Sequence, residues 1–406
     1  MEAEPERGPR VRETEIAIIG AGAAGLSLAY RLAALPRPPE VVLVDAPPGP
    51  LRPPARTWCF WEEPGGPYDT ALTARWERLR VRGPDGAAVV RSAAPLEYKM
   101  LRSASFEELV ARRLDRCPQV RRTQAAVREV RPLPGGAEVR GTGPDGEPLK
   151  LRARWVYDSR PPRALPAART TLLQHFLGWF VRTEEAVFEP GVADLMDFDC
   201  PQPARGLAFV YLLPLSASEA LVEYTVFSRA PLPQEAYEEA LRGHLTRRHG
   251  RAAYAVAGVE RGVIPMTDGR FPRRLGEAVF AIGTAGGATR PATGYTFAAV
   301  QRQARAVAEA YAAGRAPVPP AAYPARAGLM DAVLLRGLDT GRVDGPRALT
   351  GLFRSVPTER LLRFLDGATG LREDLAIGLR MPVPPMLRTL VELPLLRRTT
   401  PGEEAA

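Results

Sequence analysis

The segment "ETEIAIIGAGAAGLSLAYRLAAL", residues 13–35, decides the fold. Ile16, Ile18 and Ile19 make a short apolar strand, and Gly20, Gly22 and Gly25 then give the spacing G-x-G-x-x-G before a helical run that Pro36 closes. The first glycine permits the tight turn, the second lets backbone approach a pyrophosphate, and the third lets the helix pack against the strand. Unpaired N–H groups at the helix start can hold phosphate oxygens, so Gly20, Gly22, Ala24 and Gly25 are the candidate phosphate-turn residues. The next strand, "EVVLVD" at 40–45, ends in Asp45, where a carboxylate accepts hydrogen bonds from ribose hydroxyls. A glycine triplet alone is weak evidence. Strand, triplet, helix, strand and terminal acid together predict an α/β dinucleotide-binding unit of Rossmann type.

Further along, "SASFEELVARRL" at 103–114 reads as a helix in which Ser105 and Glu108 make a capping-box pattern. Strand-like segments follow near 120–130, 137–141 and 148–157, with "GPDG" at 143–146 as a hairpin turn. "RWVYDSR" then ends a strand at Asp158, either a second ligand contact or a loop cap. The stretch 278–314 repeats the opening logic with an apolar strand, a bend through Gly283, Gly286 and Gly287, and a long helix. An early nucleotide unit completed by a late strand, turn and helix means that the cofactor domain is discontinuous and a substrate domain is inserted in it.

At 406 residues the chain is long enough for two connected units sharing a sizeable core. The formal charge of +9 rests on arginine, since Lys99 and Lys150 are the only lysines. Those arginines are dispersed and no nucleic-acid motif accompanies them, so nucleic-acid binding is not expected. Cys59, Cys117 and Cys200 are far apart and odd in number, which argues against a disulfide framework. His175, His244 and His249 are scattered, and no metal site is expected. Residues 1–12, charged and without an apolar core, read as a flexible start, and no apolar run approaches the roughly 20 residues of a membrane span.

Several segments together resemble the lycopene cyclase family of flavin-dependent carotenoid cyclases, in its bacterial beta-cyclase branch. They are "RTWCFW" at 56–61, "LMDFD" at 195–199, "FVYLLPLSASEALVEYTVFS" at 209–228, "ERGVIPM" at 260–266 and "GTAGGATRPATGYTFAAVQ" at 283–301. The resemblance implies a glutathione-reductase-like flavoprotein fold and non-covalent FAD, kept reduced by NADPH or NADH. It implies lycopene or another linear carotenoid as substrate. The implied reaction is redox-neutral: a proton adds at C2 of an open end, the C1 cation is attacked by the C5–C6 double bond, and loss of the C6 proton leaves a beta ring, with gamma-carotene as the one-ring stage. The reduced, anionic flavin would stabilise the cation. The shared cofactor architecture leaves an FAD-dependent monooxygenase or dehydrogenase acting on a large apolar isoprenoid as the alternative.

Carried onto this chain, the essential acid matches Glu223 and the carboxylate before "GVIPM" matches Glu260. The family often has a second acid directly after the first, where this chain has Tyr224. Strand alternation puts Glu223 and Thr225 on one face and Tyr224 on the other, so Glu223 would act alone, its pKa raised by apolar surroundings. Further cofactor-binding candidates are Arg56, Thr57, Asp158, the glycines 283, 286 and 287, and Thr293, Gly294 and Tyr295. Arg290 replaces the family histidine and is expected either to favour a reduced flavin or to lie at the surface. The expected division is an FAD-binding domain over 13–75, 100–170 and 270–318, a mixed-sheet substrate domain over 76–99 and 171–269, and a helical cap over 319–398. Leucines near arginines in the cap suit a rim resting on a membrane, which places the protein in the cytoplasm, peripheral to the inner face of the cell membrane.

Overall fold

The computed structural model describes residues 12–250 and 252–400; the expected flexible start, up to residue 11, lies outside them. β1 (Arg12–Ile19), α1 (Ala23–Leu32) and β2 (Val41–Asp45) form the predicted opening unit. Next come β3 (Thr57–Glu62), β4 (Ala74–Trp76), β5 (Arg78–Arg82), β6 (Ala88–Ser92), β7 (Glu97–Arg102) and α2 (Ser103–Leu114). β8 (Val120–Gln124), β9 (Ala126–Leu133), β10 (Gly136–Thr142) and β11 (Pro148–Asp158) lead to β12 (Thr171–Thr183), β13 (Val192–Asp197), β14 (Leu207–Pro214) and β15 (Glu219–Ser228). After α3 (Gln234–His249) and β16 (Tyr254–Thr267), the chain returns through β17 (Val279–Ala281) to α4 (Phe297–Ala312). The C-terminal region is helical: α5 (Ala325–Asp339), α6 (Gly345–Ser355), α7 (Thr358–Leu365), α8 (Leu371–Gly378) and α9 (Val383–Glu392).

One sheet runs β8-β2-β1-β11-β10-β9, with β17 beside β11. Its β8, β2, β1, β11 and β17 are parallel, while β9, β10 and β11 form antiparallel pairs. A second sheet runs β16-β12-β15-β14-β13-β5-β6, and a third, small one runs β3-β7-β4. The chain therefore has the expected α/β architecture, with two large sheets and a helical C-terminal region. Ile16, Ile18, Leu28 and Leu32 are essentially inaccessible between β1 and α1, Phe297, Val300 and Val307 of α4 join the same core, and each such side chain contributes on the order of 1.5–3 kcal/mol by leaving water.

Two local expectations are corrected. The segment near 120–130 is two strands: β8 extends the parallel sheet beside β2, Ala125 N then donates to Asp45 O at 2.9 Å, and β9 leaves to pair with β10 at the other edge. The α2 helix opens at Ser103 rather than after Ser105, so Ser105 caps nothing. Ser103 Oγ accepts from Arg56 N at 3.1 Å, and Glu108 pairs along the helix with Arg112 at 2.7 Å.

Candidate active site

At one edge of the first sheet the C-terminal ends of four parallel strands meet, the place where such sheets bind ligands. Asp45 ends β2, Gly20 follows β1, Asp158 ends β11 and Gly283 follows β17. Asp158 lies beside Ile19 and Ala281 in the strand register, Ser159 N donates to Ile19 O at 3.0 Å, and Ile282 N donates to Asp158 O at 2.9 Å, which locks the edge together. Gly20 needs its left-handed φ of 92°, and a Cβ on Gly25 would run into the Gly20 carbonyl oxygen. Gly22 differs from both, because no protein atom lies within 4 Å of where its Cβ would be. The α1 N-terminus has no side-chain cap, so no side chain satisfies its first N–H groups. Ala24 packs against Gly283, setting the early and late glycine turns side by side.

Asp45 Oδ1 accepts from Ala21 N at 3.3 Å and Ala46 N at 2.9 Å, leaving its second oxygen facing outward with Arg52 at 3.9 Å. Asp158 is committed differently. Its carboxylate accepts from the Arg160 backbone at 3.0 Å and from the Arg160 guanidinium at 2.7 Å.

The acids stand on the second sheet. Gly178 of β12 lies opposite Glu260 of β16 on one side and Glu223 of β15 on the other, and Glu223 in turn lies opposite Tyr211 of β14. Because cross-strand partners share a face, Glu260, Gly178, Glu223 and Tyr211 form a transverse row. A Cβ on Gly178 would sit 3.3 Å from Glu223 Cβ and 3.0 Å from Leu221 Cδ1, so the missing side chain lets Leu221 and Glu223 close in over the strand between the acids. As alternation predicts, Thr225 shares the Glu223 face and donates to Glu223 Oε1 at 2.7 Å, while Tyr224 packs behind the sheet with Tyr237 and Leu241 of α3.

The two acids have different surroundings. Glu260 accepts from Thr57 N at 2.7 Å and from Thr57 Oγ1 at 2.6 Å, a pair of bonds spanning 203 positions that ties the substrate sheet to β3. Glu223 has the single Thr225 bond. Burial pushes its carboxyl up to about 8, with the nearby Glu260 charge adding to the rise and the Thr225 bond opposing it. Glu223, Tyr211, Tyr295 and Cys59 each keep some accessible surface although protein surrounds and desolvates them.

Thr293, Gly294 and Tyr295 form a turn ahead of α4, in which Arg290 O accepts from Gly294 N at 2.9 Å and Arg290 N donates to Tyr295 O at 2.9 Å. Gly294 has a φ of 71° and packs so closely on the Gln174 side chain that a Cβ would collide with it. Arg290 is no surface cation: it is buried, its Nε lies 3.2 Å from both Asp331 oxygens, and Nη1 donates to Phe364 O. Arg56 is exposed, its peptide held by Ser103, and Trp58 stacks on Phe297 at 5.4 Å as ordinary core. Sequence reasoning missed Gly178, Tyr211 and Tyr98. A glycine inside the apolar run "HFLGWF" at 175–180 was the available signal for the first.

The family model for "Lycopene cyclase protein" matches residues 15–391, and the chain belongs to that family. No curated protein matches it in sequence. Among solved structures, it is similar to the geranylgeranyl bacteriochlorophyll reductase-like protein of Thermoplasma acidophilum, at 12% identity and a TM-score of 0.60 over 95% of this chain and 100% of that one. The p-nitrophenol 4-monooxygenase PnpA of Pseudomonas putida DLL-E4 gives 15% identity and a TM-score of 0.58 over 96% and 100% of the two chains. PieE, a flavin-dependent monooxygenase solved with FAD and substrate, gives 15% identity and a TM-score of 0.58 over 91% of this chain and 72% of its own. At such identities the likeness shows the fold alone.

Proposed function

From membership in the lycopene cyclase family, we propose that this protein is an FAD-dependent lycopene beta-cyclase that closes open carotenoid ends into beta rings, by way of gamma-carotene, with no net redox change. The observation that carries the reading is Glu223: a carboxyl that burial keeps protonated at neutral pH, set in a transverse row with Glu260 and Tyr211. A proton leaves Glu223 for C2, the C5–C6 pair closes on C1, and the C6 proton is lost to the carboxylate just formed, so the proton count closes. Glu260, held by Thr57, is the acidic helper: its charge raises the proton affinity of Glu223.

The residues present fit FAD. Gly20, Gly22, Ala24 and Gly25 would hold the pyrophosphate, and Asp45 would hold the ribose with Oδ2, the oxygen on the Arg52 side. Arg56, Thr57, Asp158, the glycines at 283, 286 and 287, and the turn Thr293–Gly294–Tyr295 would line the rest. Two buried groups without protein partners, the Trp61 Nε1–H donor and the Gln174 Oε1 acceptor, fit a ligand that both accepts and donates hydrogen bonds. When bound and reduced by NADPH or NADH, FAD supplies negative charge near the developing cation. The domain division given by the sequence belongs to this reading, with cofactor and substrate on the two large sheets and the cap over them.

Leu371 and Leu375 project from α8 and Leu379 from its C-terminal cap, Leu387 and Val391 from α9, and Leu395 just beyond it, all more than half exposed. Arg372, Arg380 and Arg388 lie among them, and no helix among the described residues is long and apolar enough to cross a membrane. Apolar side chains among arginines suit peripheral attachment to an anionic bilayer, from which an apolar carotenoid is drawn. Flotation with anionic phospholipid vesicles that survives glutamate at Leu375, Leu379 and Val391 would remove this role from the cap.

The decisive experiment for the reaction is turnover of lycopene by purified enzyme with reduced FAD in the absence of oxygen. Cyclisation gives products of unchanged mass and leaves the nicotinamide unconsumed. A product that requires oxygen and carries a new hydroxyl would establish the monooxygenase alternative instead.

A further inference from the structure

Three tyrosines from separate parts of the chain converge opposite Glu223. Tyr211 is its cross-strand partner on β14, with the Phe209 ring beside it on the same face at 5.0 Å. Tyr295 enters from the turn ahead of α4 and lies close to both Tyr211 and Tyr98. Trp61 of β3 backs the group, its ring centroid 4.7 Å from Tyr295 in edge contact and 6.3 Å from Tyr98 in stacked contact. The turn that carries Tyr295 is pinned from the cap: Tyr323 Oη donates to Tyr295 O at 3.2 Å, and Arg290 is bound to Asp331.

We propose that Tyr211 and Tyr295, backed by Trp61 and the fully buried Tyr98, form a neutral aromatic wall beside Glu223 that stabilises the carbocation formed at the substrate end and holds water off it until the ring closes. The inference rests on the cyclase reading and assigns to these residues a task which that reading leaves open. A desolvated cation is attracted by the faces of tyrosine and tryptophan rings. The phenols must also stay protonated, since a phenolate would capture the cation. Burial first, and then the mutual crowding of these groups, raises Tyr98 and Tyr211 well above the usual phenol range, and burial pushes Tyr295 up to about 12. Burial likewise raises Cys59, beside Tyr98, so the nearby thiol stays protonated too. The wall thus offers π faces and no base of its own, and the one other carboxylate in the row, Glu260, is held by Thr57.

A breach has a specific chemical consequence. Water that reaches the cation forms a C–O bond at C1 with an oxygen lone pair and gives up a proton, leaving an open-chain tertiary alcohol with no oxidation or reduction. The test compares Tyr211→Phe and Tyr211→Leu in the full-length, FAD-loaded enzyme turning over lycopene in 18O-labelled water. Phenylalanine keeps the ring and should hold the cyclisation rate within about threefold of wild type. Leucine should lower kcat by about thirtyfold, the size of a desolvated cation–π contact, with KM and FAD affinity nearly unchanged and labelled open-chain alcohol among the products. Tyr295→Leu, read by the same products, serves if Tyr211→Leu does not fold. Equal losses in the phenylalanine and leucine variants, or a leucine variant that closes rings at the wild-type rate without labelled alcohol, would overturn the wall. Wild-type enzyme that forms no ring at all would instead overturn the cyclase reading, and the wall with it.

Discussion

The turn between β1 and α1 and the transverse row on the substrate sheet both depend on a glycine that leaves room for something else, yet they are built in opposite ways. At the turn, the groups on offer are backbone: Gly20, Gly22 and Gly25 lie within six consecutive positions, and the N-terminus of α1 has no side-chain cap. In the row, the groups on offer are side chains: Gly178, Tyr211, Glu223 and Glu260 come from four strands and meet only through register. A backbone site is fixed by local spacing, whereas a side-chain site is fixed by the pairing of the whole sheet. The predicted variants test whether this contrast governs function.

The largest effect is expected at the row. Glu223→Gln keeps size and shape but removes the transferable proton, and cyclisation should fall by roughly two to four orders of magnitude, the range for loss of a general acid. FAD affinity should be unchanged, because Glu223 lies on the other sheet. Parent-rate cyclisation by a flavin-loaded Glu223→Gln enzyme would hand the proton to Glu260 or to the flavin.

At the turn, two conservative changes should separate ligand from fold. Gly22→Ala meets no protein atom within 4 Å, so the melting temperature of the apo protein should hold while FAD affinity falls by about tenfold or more. Gly25→Ala drives a methyl into the Gly20 carbonyl and should lower the stability of the apo protein itself. Equal FAD affinities in Gly22→Ala and wild type, by fluorescence titration, would mean that the open space at Gly22 is not the phosphate seat.

The same contrast explains how much was legible beforehand. The phosphate turn, Asp45 and the late glycine bend follow from local spacing, and the alternation that separates Glu223 from Tyr224 needs only the two-residue period of a strand. Glu223 as the acid came from family motifs, because a glutamate in an apolar strand is equally consistent with an edge charge. The Glu260 bonds to Thr57 were out of reach: they join positions 203 apart, and no local pattern encodes that approach. Arg290 shows the same limit. Its pairing with Asp331 depends on where α5 packs, so the sequence left it equally a surface group or a flavin contact.

A titration sharpens the assignment within the row. Glu223 has its carboxyl raised from about 4.5 to about 8 by burial, then by Glu260, so the folded state binds a proton there more tightly than the unfolded chain does. Between those two values stability must fall as pH rises, because ionising the buried group favours unfolding. Activity that needs the protonated acid should hold through neutral pH and decline above about 8. Glu223→Gln should flatten the stability slope in that window. An unchanged slope, from denaturant unfolding across the window, would mean that Glu223 does not titrate there and that its proton is not the one transferred.

The smallest effect is expected one residue along, at Tyr224, where the family often has a second acid. Its ring lies behind the sheet against α3, and its hydroxyl donates to Pro201 O at 2.6 Å. Tyr224→Phe leaves that carbonyl without its donor, and stability should drop by about 1 kcal/mol, the usual net worth of such a bond. Cyclisation should stay within about twofold, because the residue faces away from the row and its effect is confined to folding. If Tyr224→Phe instead lowers kcat as steeply as Glu223→Gln while the protein melts normally, the strand is not regular at this point. The two-residue period would then no longer decide which side of the sheet faces the substrate.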